Sequence, residues 1–204
     1  MSLEVIRDEV SRLNAQHGKR KDSIEAKLNE LTSLRLFEPS LSPPEFFSKR
    51  WIVGLNRAGD ESKRLVMFLL LDALSNHLLS GANSPTDQTG HRRLGHLLII
   101  DEALEILRYR HAALSKMVRQ GAAKGGLTML LSQSPDDFDQ EEDDFLAQVG
   151  TIGVFTSSAK SVSSLSAAFG RKFRPEEFND KELPKGVALV KLPHDEPRRV
   201  QAWL

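Results

Sequence analysis

Asp101 and Glu102 stand together at the end of an apolar run in the stretch HLLIIDEALEIL, His96 to Leu107, after which the apolar spacing turns helical. Two adjacent carboxylates at the exposed end of a buried strand suit a pair of tasks. One oxygen donor holds a divalent cation, usually through water, and the other polarises a water molecule for attack on a phosphate. A further pair of polar side chains, Ser132 and Gln133, follows the next strand candidate, LTMLLSQ. Open parallel sheets bind ligands at the carboxyl ends of their strands, so these four residues fall on one rim if the two strands are neighbours. The plainer reading of the carboxylates is that they favour the start of the next helix through its dipole. The convergence with Ser132 and Gln133 favours the nucleotide reading.

Such a site also needs a cradle of backbone N–H groups and a lysine, the G-x-x-x-x-G-K-[ST] loop. The sequence has no such loop: Gly18-Lys19 is followed by Arg20 and has no glycine at the required spacing, and GAAKGGLT, Gly121 to Thr128, ends a helix and precedes a strand. The other candidates for chemistry are weak. The six histidines show no paired metal-ligand spacing. The acidic run PDDFDQEEDD, Pro135 to Asp144, lacks the central glycine and alternating ligands of a calcium loop and reads as a solvated, acidic helix start. Ser132 has neither a neighbouring histidine nor elbow glycines to make it a nucleophile.

The elements that must hold these residues can be read from apolar spacing. Ile6, Val10 and Leu13, then Ile24, Leu28 and Leu31, each fall at i, i+4, i+7, which predicts a helical hairpin over residues 1–38 turning near Gly18. Residues 39–50, within FEPSLSPPEFF and its flank, read as a proline-broken linker. From Trp51 onward the pattern alternates. WIVGL is a strand candidate, and DESKRLVMFLLLDALSNHLLSG is a helix with Asp60 as N-cap and Gly81 as C-cap. GANSPTDQTGHRR reads as a flexible polar connection. HLLII, LTMLLSQ and TIGVFTS are further strands, separated by helices near His111 to Ala123 and in DQEEDDFLAQV. The chain closes with the helix AKSVSSLSAAFG and two short strands, GVALVKL and RRVQAWL. Continuous apolar strands separated by helices predict a three-layer α/β domain over residues 51–204, with a mostly parallel sheet covered on both faces.

Composition narrows the setting. Lys plus Arg and Asp plus Glu both total 28, so there is no global basic field, and any contact with DNA has to be local or shared among subunits. Cysteine is absent, which excludes disulfides and thiolate metal sites and fits a cytoplasmic location. The longest apolar run, LVMFLLL, is far short of the roughly 20 residues a membrane span needs.

Taken in order, HLLIIDEALEIL, LSKMVRQGAAKGGLTMLLSQSPDDF and FLAQVGTIGVFTSS resemble the Walker B, arginine-bearing and sensor segments of the HerA/FtsK-like P-loop ATPases, hexameric motors that pump DNA. The similarity runs from about Trp51 to the C-terminus. IIDEA alone is shared by many ATPases; its order with the arginine-bearing helix end and SQSP is more specific. The resemblance implies a RecA-like core, incomplete here, whose first strand, phosphate loop and following helix lie upstream of Met1. It implies that Asp101 is the magnesium ligand, Glu102 the general base and Gln133 the sensor, with Ser132 beside the nucleotide, and that ATP, Mg²⁺ and duplex DNA are the ligands of a ring-shaped homo-oligomer. Arg119 falls where the family's R-E-G-R-K segment begins and is implied as an arginine finger. Here the segment reads RQGAAKG, with Ala122 in place of the second arginine, so Arg108, Arg110 and Lys124 remain alternatives. A chain lacking the phosphate loop is expected to hydrolyse ATP negligibly and to expose a strand where the missing one inserts, favouring self-association. The rival expectation is a degenerate, ATPase-like interaction module that never turns over nucleotide.

Overall fold

A computed structural model describes residues 3–18, 23–33, 41–56, 58–138, 145–157 and 162–203. It is a mixed α/β structure with one small parallel and one antiparallel sheet. The chain divides into two compact units, Met1–His77 and Leu78–Leu204.

In the first unit, helices α1, Leu3–Gln16, and α2, Ser23–Ser33, pack against each other as the periodicity predicts. Leu31 is buried, and Ile6, Val10 and Leu28 are half-buried, while Ile24 faces solvent. A polar contact that the apolar spacing does not reveal joins the pair. The buried Glu25 carboxylate accepts hydrogen bonds from Ser11 Oγ at 2.8 Å and Asn14 Nδ2 at 3.0 Å. Gly18 ends the described part of the turn with φ of 62°, and residues 19–22 lie outside the described residues.

Part of the proline-rich segment is helical instead of a plain linker: α3 spans Pro43–Phe47, while residues 34–40 lie outside the described residues. Proline suits a first helical turn, where its missing N–H has no partner to lose, and Glu45 Oε2 reaches back to the Ser42 N–H at 2.9 Å. Trp51–Leu55 is not a strand. Its apolar residues find no ladder partner; Trp51 instead stacks on Phe46 at 4.6 Å and donates its indole N–H to Phe46 O at 2.7 Å. Helix α4, Asp60–Ser80, occupies its predicted span, but Gly59 and not Asp60 is its N-cap: Gly59 O accepts the first helical bond from Lys63 N, and Asp60 is the first helical residue. Glu30 on α2 braces that start: its carboxylate accepts from Gly59 N at 3.3 Å and from Lys27 Nζ at 2.9 Å.

In the second unit, β1, His96–Ile100, and β2, Gly126–Leu130, are parallel neighbours in the register His96↔Gly126 to Ile100↔Leu130. Between them run α5, Leu104–Leu107, and α6, Ala112–Gln120, which continues as a 3₁₀ turn over Gly121–Lys124. This is the crossover that parallel pairing requires. Ile106, Leu107, Leu114 and Met117 are buried, and α6 packs against β2. The other strands do not extend this sheet in parallel. β3, Ile152–Val154, pairs antiparallel with β4, Val187–Lys191, and β4 pairs antiparallel with β5, Arg198–Gln201. The expected mostly parallel sheet is thus a parallel pair plus an antiparallel triplet. For β4 and β5 the reason is local, because the connection from Leu192 to Pro197 is too short for a crossover and turns back through His194, at φ of 66°. Helix α7, Phe145–Gln148, is the described end of the acidic stretch, with residues 139–144 outside the described residues. Helix α8, Ser163–Phe169, is closed by Gly170 at φ of 69°; the Ser-rich start at 158–161 is outside the described residues. Leu146, Ile152, Val154, Leu165, Phe169 and Phe178 form the core here.

The long polar connection is tied down, contrary to the flexible loop its composition predicts. Thr86 and Arg92 form a β-bridge, and Asp87 Oδ1 accepts from Thr89 N, Thr89 Oγ1 and His91 N at 2.8, 2.6 and 2.9 Å. Ser84 Oγ donates to Arg93 O at 2.7 Å, and Gly95 N donates to Gly125 O at 2.8 Å.

Among the described residues a three-layer arrangement is not seen around β1 and β2. Leu97, Ile99 and Leu127, each 53% exposed, and Met129, 47% exposed, form one registered apolar row on the outer face. Parallel sheets are ordinarily covered on both faces, whereas among the described residues this row is left half exposed. Replacing Ile99 and Leu127 by Lys is expected to change stability by within about 1 kcal/mol, as for half-exposed positions, and to lower light scattering and hydrophobic-dye binding. A large loss of stability would show the face to be packed.

The hairpin carries its own pH dependence. The Thr89 hydroxyl above all, then the His91 N–H and, more weakly, the Thr89 and Gly90 N–H groups, hold the Asp87 carboxyl below its ordinary value of 3.8, against an opposing effect of desolvation. Because the folded value is depressed, its contribution to stability is present above 3.8 and lost as pH falls through the lower folded value. The amide resonances of Thr89 and His91 are expected to titrate with a midpoint below 3.8, and Asp87→Asn to abolish that step.

Candidate functional site

The rim at the carboxyl ends of β1 and β2 is built by two backbone hydrogen bonds on a single residue. Leu131 N donates to Ile100 O at 2.9 Å, and Leu131 O accepts from Ala103 N at 2.7 Å. Asp101 and Glu102 lie between those two anchors as a protruding bulge, both exposed. The bulge closes because Glu102 takes the left-handed conformation, φ of 52°, and Asp101 Oδ1 accepts the Glu102 N–H at 3.0 Å. A non-glycine residue there costs on the order of 1 kcal/mol, and such outliers collect at functional sites. Ala103, fully buried, then starts the turn into α5, where Glu105 pairs with Arg108 at 2.8 Å. The carboxylates therefore project from a bulge ahead of the helix, and simple dipole capping does not account for their conformation.

On β2 the chain leaves Leu131 through Ser132 and Gln133. Ser132 Oγ donates to the Asp137 carboxylate, and Ser134 Oγ accepts from Asp136 N at 3.2 Å, which closes the 3₁₀ turn Pro135–Phe138. Gln133 stands exposed at the apex of this brace, and among the described residues no side-chain hydrogen bond engages its amide. The adjacency of Asp101, Glu102, Ser132 and Gln133 on one rim follows from the β1–β2 register. Sequence reasoning misses Asp137, because PDDF reads as part of a solvated, acidic helix start. The signal available was Ser-Pro-Asp-Asp, a serine cap with proline in the first turn.

Arg119 lies elsewhere. It sits in the last turn of α6, which leads to the start of β2, and its Nε donates to Gln148 Oε1 at 2.9 Å. Of the alternatives, Arg108 is paired with Glu105, Lys124 Nζ donates to Gly81 O at 2.8 Å, and Arg110 follows α5 with φ of 49°.

The donor set can be tested against a divalent cation. Asp101 Oδ2 and both Glu102 oxygens have no hydrogen-bond partner among the described residues and are open to solvent, which suits a hard cation that keeps most of its waters. No group of three or more His, Asp or Glu able to enclose a metal is present among the described residues. A cation held there would take its remaining ligands from outside the described residues.

No family model matches the chain, and no curated protein matches it. No helix among the described residues is long and apolar enough to cross a membrane.

The bulge makes a thermodynamic prediction. Glu102→Gly is expected to leave stability unchanged or to raise it by up to about 1 kcal/mol, since glycine relieves the left-handed conformation and offsets its own chain entropy. Ala103→Gly, one residue on at φ of −56°, is expected to lower it by about 1 kcal/mol. Equal losses in urea denaturation would remove the case for strain at Glu102.

Proposed function

We propose that this chain carries the Walker B and sensor part of an ATP-driven, DNA-translocating motor of the HerA/FtsK type. The left-handed Asp101–Glu102 bulge, pinned to Leu131 beside Gln133, is the observation that supports this reading most. In it Asp101 would hold Mg²⁺, and the Glu102 carboxylate would take the proton of the attacking water. The Gln133 amide lies one strand away, where it can hydrogen-bond the same water or the terminal phosphate oxygens. Bound ATP and Mg²⁺ supply the scissile phosphate and the positive charge that stabilises it. The Ser132–Asp137 bond anchors the segment beside Gln133. Arg119 is the first candidate for an arginine contributed to a neighbouring subunit of a ring, a role that requires it to leave Gln148.

The phosphate-binding loop has to come from polypeptide outside these residues, so turnover by this chain alone is negligible in this reading. Duplex DNA is the partner of the intact motor. A second reading, an assembly module without turnover, draws support from the uncovered Leu97, Ile99, Leu127 and Met129 face, which is suited to protein contact.

The two readings part in one assay, ATP hydrolysis with and without duplex DNA by the protein that contains this chain together with its phosphate-binding loop. Wild type is expected to show a DNA-stimulated rate, and Glu102→Gln to lose it by about a hundredfold or more while still binding nucleotide. Equal, near-zero rates in both proteins, with no response to DNA, would favour the assembly module.

A further inference from the structure

The chain's zero net charge conceals a separation of charge along the β1–β2 sheet. At the carboxyl ends of the strands lie Asp101, Glu102, Glu105, Asp136 and Asp137, against Arg108, which Glu105 pairs, and Arg110. At the amino ends the balance is reversed. Arg92 and Arg93 lead into β1, Lys124 leads into β2, and α6 runs back so that its last turn brings Arg119 to the same end. The strands are five residues long, so the two ends stand roughly 16 Å apart.

The cations at the amino end are held on a preformed support. The hairpin from Ser84 to Gly95 is closed by the Thr86–Arg92 bridge and by the three hydrogen bonds to Asp87 Oδ1. Those bonds engage the hairpin's one carboxylate in the turn itself. Arg92 Nη1 donates to Ser84 O at 2.8 Å, and Lys124 Nζ to Gly81 O at 2.8 Å, so both cations edge the same strip of backbone. Arg93 is exposed. Behind it the hairpin rests directly on Gly125, at φ of 75°, where an added Cβ would lie 2.6 Å from Arg93 O and 2.9 Å from Ser84 Cβ. An ordered loop that presents cations loses little conformational freedom on binding.

We propose that this hairpin, through Arg92 and Arg93 with Lys124 beside them, is a contact for the phosphate backbone of duplex DNA. The tip, Asp87-Gln88-Thr89-Gly90, has no aromatic or aliphatic residue to enter a lipid interface, which favours a polyanion over a membrane surface. Arginines on a rigid loop match phosphate contacts that fix position without reading sequence. The contact lies at the opposite end of the sheet from the carboxylates, so DNA and nucleotide do not compete for one rim. The inference rests on the DNA-coupled reading for its choice of polymer. Its test needs no nucleotide, so its failure and the failure of the hydrolysis reading are separate results.

The test is fluorescence anisotropy of a labelled duplex titrated with the 204-residue chain at stepped salt concentrations, with thermal melts confirming that each variant is folded. Wild type is expected to bind at low salt, with affinity falling as salt rises. Arg93→Gln is expected to reduce the slope of log affinity against log salt by about 1, and the Arg92→Gln/Arg93→Gln pair by about 2, with affinity down roughly tenfold or more. Gly125→Ala removes no charge but displaces the hairpin, and is expected to weaken binding as well. Glu105→Gln, at the other end of the sheet, is expected to leave binding unchanged. No binding at low salt, an Arg93→Gln slope equal to that of wild type, or tighter binding to phosphatidylserine vesicles than to the duplex would each overturn the proposal.

Discussion

The candidate site depends on one backbone residue. Leu131 commits its N–H to Ile100 O at the end of β1 and its C=O to Ala103 N at the start of α5, and the chain between those anchors has one more residue than a regular ladder accommodates. The excess is expelled as the Asp101–Glu102 bulge, and Glu102 turns left-handed to close it. The same residue fixes where β2 ends, and so where Ser132 and Gln133 begin. Carboxylates and amide therefore share an origin: shift the register by one and Asp101 moves off the rim while Gln133 passes to the other face.

The two ends of this short sheet are built on different physical grounds. At the carboxyl end, a strained backbone and side chains open to water leave charge available to a ligand. At the amino end, Asp87, Ser84 and the glycine backbone at Gly125 order a loop whose composition alone predicts mobility. Both ends are held by hydrogen bonds to backbone groups, and the sheet between them is apolar. A sheet of two parallel strands with Leu97, Ile99, Leu127 and Met129 bare on one face is short of the burial that such sheets normally have. That deficit leaves an apolar face on the same sheet that carries the candidate rim.

Much of this was legible in the residues. Apolar spacing located α1, α2 and α4 and the strands β1 to β5, because burial of a face imposes a period on the side chains. The Asp-Glu pair at a strand end and the Ser-Gln pair after the next strand marked the rim. Three features were not legible. Trp51–Leu55 has the composition of a strand but no partner to complete its ladder. Asp87 can organise a hairpin only when Thr89 and His91 are folded over it. Asp137 can brace Ser132 only after a serine-capped turn brings it back.

Residue type and spacing alone mark which segments can be helix or strand and which side chains can bear a cation or move a proton, and they show no phosphate-binding loop of the expected pattern in these 204 residues. These are properties of residue type and spacing, and they persist in the unfolded chain. Tertiary structure alone decided the parallel register of β1 and β2, the left-handed turn at Glu102, the antiparallel sense of β3 and the separation of charge along the sheet. Each of those depends on pairing between residues far apart in the chain, where the backbone hydrogen bonds that close the ladder outweigh the local preference of any one residue.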